Sequence, residues 1–263
     1  MSKKKKWLLI GGSVALISLA VVIYFGCFDV SNGERLRHAA YKGDIATVTR
    51  ILNRHPELVD SKLHFESKLA TLRARWRSSL SRLSGVESIY GFPLAEYNAG
   101  YAALHYAAWT GSDEIAQLLL ARGANVNFTN NKPGNTPLHV CTFDDVGNRV
   151  EMASLLLAHG ANPNARGGIG ETPLHDCVME NRAEMASLLL AHGANPNARD
   201  DRGETPLHKA AYTILRSSSL LDLLFAAGAD LNATNDLRET PLSLAKSHRR
   251  DNVVEFLQAH GAK

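Results

Sequence analysis

The chain has 263 residues, 45% hydrophobic and 21% charged, with a net charge of +3 and three cysteines. That length and balance allow one or two domains with a substantial core and argue against bulk disorder. Cys27, Cys141 and Cys177 are too few and too far apart for a disulfide framework. The charge is unevenly spread. Lys3, Lys4, Lys5 and Lys6 carry +4 and residues 61–83 carry +5, leaving −6 on the remainder, which argues against a nucleic-acid-binding body.

Residues 1–6 form a short basic tail, and residues 7–28 carry no charge. As a helix, 22 residues span about 33 Å, enough for a bilayer core of about 30 Å. The run exceeds the apolar region of a removable signal peptide, so residues 7–28 are expected to be an uncleaved transmembrane helix. Gly26-Cys27 loosely resembles a lipoprotein cleavage site, and a lipidated or cleaved amino terminus is the alternative. The lysine cluster places the amino terminus in the cytoplasm and the body in the periplasm or another extracytoplasmic space.

From residue 29 on, the sequence repeats itself. "TPLHVCTF" with "EMASLLLAHGANPNAR", and "TPLHDCVMENRAEMASLLLAHGANPNAR", are nearly copies, and "AALHYAAWTGSDEIAQLLLARGANVN", "TPLHKAAY" and "TPLSLAKS" open three further ones. A worn copy occupies 29–60. From the His position to the Gly of "GA" the interval is 18 residues in three copies, 21 from His139 to Gly160 and 20 from His208 to Gly228. Two copies therefore carry short insertions, near 143–147 and 214–218. Thr-Pro starts a helix, with Thr at the cap and Pro tolerated in the first turn. "EMASLLLAHG" predicts a second helix with Met152, Ala153, Leu155 and Leu156 on its buried face, stopped at Gly160.

These motifs and a period near 33 resemble the ankyrin repeat. The resemblance covers about 36–60 and 99–263, with 29–60 taken as a degenerate first repeat. It implies an all-α solenoid: helix-turn-helix pairs joined by β-hairpin loops, preceded here by one transmembrane helix. Residues 61–98 depart from the pattern. Phe65, Leu69, Leu72, Trp76, Leu80 and Leu83 follow helical spacing amid Lys and Arg, so 61–98 read as an inserted basic amphipathic helix and loop. That helix could cap the first repeat, contact anionic lipid or join a partner site.

Cys141 and Cys177 each follow a histidine by two residues, a pairing that invites a metal or thiol reading. His105, His139, His175 and His208 are one repeat position, and His159, His192 and His260 another. Positions i and i+2 of a helix point to different sides, so structural packing is the better reading and no metal or cofactor is expected. Outside the repeat signature stand no nucleophile–base grouping and no phosphate loop, so no catalytic residues are assigned.

The resemblance implies recognition of a protein through the concave face, made of hairpin tips and the exposed side of each first helix. Four positions past the His slot stand Tyr41, Trp109, Phe143, Met179, Tyr212 and Ser247; their neighbours include Lys42, Thr110, Asp144, Glu180, Thr213 and His248. At 8–10 Å per repeat they would form an apolar track about 40 Å long. Tyr106, Val140, Asp176 and Lys209 flank it, and Phe128, Lys132, Ile169, Arg202 and Leu237 sit at hairpin tips. The expected function is non-catalytic protein binding, as a membrane-tethered accessory or scaffold protein of the bacterial envelope. The alternative is an immunity or inhibitor protein that neutralises a toxin or hydrolase in the periplasm.

Overall fold

The computed structural model describes residues 32–60, 101–130, 134–143, 149–213 and 218–263. The expected membrane helix at 7–28, the basic tail and the insertion at 61–98 lie outside the described residues. Among those described, no helix is long and apolar enough to cross a membrane.

Six helix pairs follow one another. The first is 32–42 with Ile45–Arg54, closed by a short turn of 3₁₀ helix at Pro56–Leu58. Then come Ala103–Thr110 with Asp113–Ala121, Pro137–Val140 with Val150–Ala158, and Pro173–Met179 with Ala183–Ala191. Pro206–Ala210 with Ser219–Ala226 and Pro241–Ser247 with Asp251–Ala259 complete the series. First helices pack on first helices and second on second, so one core runs through all six layers, from Leu36 and Leu52 to Leu244 and Leu257. The second helix of the third repeat buries Met152, Ala153, Leu156 and Leu157, while Leu155 stays half-buried at the edge. That shifts the buried face by one residue from the sequence expectation.

The start of each first helix shows what the repeat signature does. Thr136, Thr172, Thr205 and Thr240 hold extended backbone at the cap, and proline follows at the first helical position. The histidine three residues on is buried and reaches in two directions. His175 Nδ1 accepts from the Thr172 N–H at 3.1 Å, while Nε2 lies 3.0 Å from the Glu204 carbonyl of the next repeat. A carbonyl only accepts, so Nε2 must carry the proton and the ring is the neutral Nε2–H form. His105, His139 and His208 do the same toward the carbonyls of Asn135, Glu171 and Glu239 at 3.0, 3.3 and 3.1 Å. The sixth copy carries Ser243, whose Oγ accepts from its own cap N–H at 2.9 Å. The second set of histidines works oppositely. His159, His192 and His260 are exposed or half-buried, and each donates from Nδ1 to the carbonyl four residues back at 2.8–2.9 Å. Each gives a second hydrogen bond to a carbonyl of the last turn that already accepts the same histidine's backbone N–H, just before a glycine at φ near 86°.

A second ladder links the loops. Asn164 donates from its side-chain amide to the Gly193 carbonyl at 2.9 Å and accepts from the Asn195 N–H at 2.7 Å. Asn127 makes the same pair with Gly160 and Asn162, and Asn197 with Gly228 and Asp230. Asp60 fills this slot in the first repeat, accepting from the Asn125 N–H at 3.0 Å. The worn copy is thus seated on the second repeat in the common register, although residues 61–100 intervene in the chain.

No strand occurs among the described residues. Each expected β-hairpin closes through one backbone bond: Asn130 to Asn135, Gly167 to Glu171, Asp200 to Glu204 and Asn235 to Glu239, with N–H···O distances of 2.7–3.0 Å. Loops this short make a turn and one bond, too little for a ladder. The two insertions also leave a mark. The first helices of repeats three and five have 4 and 5 residues, against 7 and 8 in repeats four and two, because the extra residues enter before the last turn.

Burial pushes His139 down to about 4 and lowers His175 and His208. Their folded values lie below the unfolded value, so the stability they contribute is complete above about pH 6.5 and is lost as pH falls toward the folded values. Asp176, whose carboxyl is pushed up by burial, acts in the opposite sense. Urea unfolding from pH 7 to pH 4 is therefore expected to show stability falling, and subtraction of a His139→Gln series isolates one ring's contribution, at most about 1.4 kcal/mol per pH unit. A pH-independent difference between the two series would contradict a neutral buried ring.

Candidate partner-binding surface

The track four positions past the His slot is brought together by the stacking. Tyr41 meets Tyr106 edge to face at 6.2 Å, Thr213 Oγ1 lies 3.5 Å from the Met179 carbonyl, and Tyr212 meets His248 at 4.8 Å. Exposure along it is uneven. Phe143 and Met179 are 38% and 43% exposed, whereas Tyr41, Trp109 and Tyr212 are half-buried. The Arg149 guanidinium covers the Trp109 ring at 5.5 Å. The Tyr212 hydroxyl donates to Glu204 Oε1 at 2.6 Å, and Arg250 donates to the Tyr212 carbonyl at 2.7 Å. Thr110, Glu180, Ser247 and His248 are exposed, Thr213 is half-buried, and Asp144 and Lys132 lie outside the described residues. At the hairpin tips Ile169 and Leu237 are 44% and 78% exposed, Arg202 is exposed and Phe128 half-buried.

Three expected flanking residues are corrected. Val140, Asp176 and Lys209 are buried, and of the four only Tyr106 keeps part of its surface. The position one past the His faces the hairpin base of its own and the preceding repeat, which seals it. Lys209 fills that space with three ion pairs: Nζ lies 2.7 Å from Asp200 Oδ2, 2.9 Å from Glu204 Oε2 and 2.9 Å from Glu171 Oε1. Burial alone would lower this ammonium, but the three carboxylates outweigh it and raise it. Burial would likewise raise Asp200 and Glu204, but hydrogen bonds from Lys209 and the Glu204 and Arg202 N–H groups bring Asp200 below its usual value, and those from Tyr212 and Lys209 do the same for Glu204. Tyr212 is pushed up to about 12 by burial and by Glu204.

The histidine ring nitrogens are consumed by caps and carbonyls, which accounts for their spacing to Cys141 and Cys177 without a metal. Both thiols are fully buried. Burial pushes Cys141 up to about 12 and raises Cys177, so neither is a ready thiolate.

One layer above the Lys209 cluster, a cavity of about 280 Å³ opens between repeats three and four. Asn135, His139 and Phe143 line it from one side; Gly168, Ile169, Glu171 and Asp176 line it from the other. Neither the cavity nor the Lys209 cluster follows from pattern alone. The available signal is that Lys209 and Asp176 are the charged occupants of a slot otherwise holding Tyr106 and Val140.

A family model described as ankyrin repeats (3 copies) matches residues 32–167, 104–200 and 166–235. The chain belongs to the ankyrin-repeat family. Residues 236–263, beyond those matches, continue the same helix pair and ladder. The chain is 42% identical over 76 residues to the mouse B-cell lymphoma 3 protein homolog, covering 29% of this chain and 16% of that protein. It is 43% identical over 77 residues to human Ankyrin repeat and SOCS box protein 16, again covering 29% of this chain and 16% of that one. For a Caenorhabditis elegans Ankyrin repeat and LEM domain-containing protein 1 homolog the match is 45% over 73 residues, 26% of this chain and 10% of the relative. The chain thus spans under a fifth of the length of these relatives. Ankyrin repeats indicate a protein-interaction module.

Removing the one cation of the buried cluster leaves three carboxylates facing one another. Lys209→Met is expected to cost about 3–5 kcal/mol in urea unfolding, with part regained in Lys209→Met/Glu204→Gln. A loss below about 1 kcal/mol would show that the cluster is solvated.

Proposed function

We propose that this ankyrin-repeat protein is a non-catalytic recognition module held at a membrane by residues 7–28, binding a protein partner across its concave face. The uncharged run after Lys3–Lys6 supports the tether, and the position of those lysines supports a cytoplasmic amino terminus with the repeats in the periplasm or an equivalent compartment. In that setting the module serves as an accessory or scaffold protein of the envelope. The observation that carries the binding surface is the exposure of Phe143 and Met179 at the same position of successive repeats. Large apolar side chains standing in water beside half-buried aromatics are a common anchor arrangement. Trp109 and Tyr212 occupy the same position in the flanking repeats, with Arg149 over the Trp109 ring and Glu204 accepting from the Tyr212 hydroxyl.

The test uses the full chain with a crosslinker in whole cells. Phe143→Ala/Met179→Ala is expected to abolish the crosslinked partner while leaving the melting temperature within a few degrees, because both side chains are already over a third exposed. Undiminished crosslinking would assign recognition to another face. Protease added to spheroplasts should degrade the repeats; protection until lysis would reverse the proposed orientation.

A further inference from the structure

The Lys209 cluster and the cavity above it are the same place in consecutive repeats, differently filled. Asp200, Glu204 and Lys209 of repeat five correspond to Gly167, Glu171 and Asp176 of repeat four, and Glu171 of repeat four corresponds to Asn135 of repeat three. In repeat five the Lys209 ammonium sits among Asp200, Glu204 and Glu171. One repeat earlier the lysine is Asp176 and the aspartate is Gly167, and the corresponding space is the cavity lined by Asn135, Glu171 and Asp176.

Of the two carboxylates there, Asp176 forms no ion pair among the described residues, whereas Glu171 is paired with Lys209 through one oxygen. Asp176 is 95% buried yet lines the cavity. Its Oδ2 accepts from Thr142 Oγ1 at 3.2 Å, and its Oδ1 has no hydrogen-bond partner among the described residues. Glu171 offers Oε1 to Lys209, and its Oε2 is likewise without a described partner. Burial, then the neighbouring charge of Glu171, raises the Asp176 carboxyl well above the usual range, and the Thr142 hydrogen bond and the more distant charge of Lys209 do not offset it. The mouth of the cavity is apolar, formed by Phe143 and Ile169, both exposed. Gly167 keeps the hairpin close to two lining residues, since an added Cβ there would run into the side chains of Asn135 and His139.

We propose that this cavity receives a lysine side chain of the protein partner, with its ammonium between Glu171 and Asp176 and its methylene stem against Phe143 and Ile169. The inserted lysine takes the place that Lys209 occupies one layer below. This rests on the concave-face reading above and specifies its partner as a protein with an exposed lysine at the contact centre. The aromatic and aliphatic walls suit the stem, and the paired acids reward the charge.

Saturation-transfer NMR on the full chain in detergent micelles tests it, with N-acetyl-lysine methylamide as the probe, N-acetyl-norleucine methylamide as its uncharged analogue and N-acetyl-arginine methylamide as the alternative cation. The lysine probe is expected to take saturation on its side-chain methylenes at least tenfold more strongly than norleucine, with arginine weaker than lysine. Asp176→Asn and Glu171→Gln should each remove most of that difference. Equal transfer to norleucine, transfer to none of the probes, or an undiminished lysine signal in both variants would overturn the proposal. The three-probe comparison on the unaltered chain decides even where a variant fails to fold. A negative result here, together with partner crosslinking that still depends on Phe143 and Met179, would overturn the lysine pocket alone. Crosslinking indifferent to Phe143 and Met179 would overturn the concave-face reading itself.

Discussion

The neutral imidazole bridging one helix cap to the next repeat's hairpin is the constraint on which the structure rests. In a single repeat the helix pair cannot bury its apolar face, and neighbours supply the missing half of the core. Apolar contact alone would allow layers to slide. The ring at 105, 139, 175 and 208 removes that freedom, because Nδ1 is committed to its own cap and Nε2 to a carbonyl in the following repeat. The asparagine amides at 127, 164 and 197 fix the same register on the loop side, each with one donor and one acceptor used. The buried rings specify one alignment, since any slip leaves a donor unsatisfied in the interior, and the exposed asparagine amides reinforce it.

That arrangement explains where the chain tolerates change. Both short insertions fall, in the sequence, between the two helices of a repeat and outside the segments that make either ladder. The segment 61–100 leaves and rejoins at repeat boundaries, and Asp60 keeps the loop-side contact to Asn125 across it. With the register fixed, corresponding positions become a line of sites that differ only in side chain. One such line carries Tyr106, Val140, Asp176 and Lys209. Where repeat five has Lys209 and Asp200, repeat four has Asp176 and Gly167, and a cavity stands in place of the filled cluster.

The features repeated several times are the ones legible in sequence: the Thr-Pro cap, the helix-stop glycine, the two histidine positions and the insertion points. His139 and Cys141 are readable as packing for the same reason, since their copies at 105, 175 and 208 share the environment. What depends on contacts between repeats is not legible. Asn164 reads as a turn residue, and only the stacked layers show its amide reaching Gly193. Lys209 and Asp176 read as surface charges because charged residues are rarely buried, and the hairpin base that covers them lies elsewhere in sequence. Leu155 and Leu157 exchange roles because a run of three leucines does not say which edge faces the next layer.

The bridging rings can be observed directly. In a ¹⁵N–¹H long-range spectrum at pH 7, His105, His139, His175 and His208 should appear as neutral Nε2–H tautomers whose ring protons exchange slowly with solvent, while His159, His192 and His260 exchange fast. Rapidly exchanging, protonated or Nδ1–H rings at the first four positions would contradict the bridge, and with it the fixed register from which the binding track and the cavity follow.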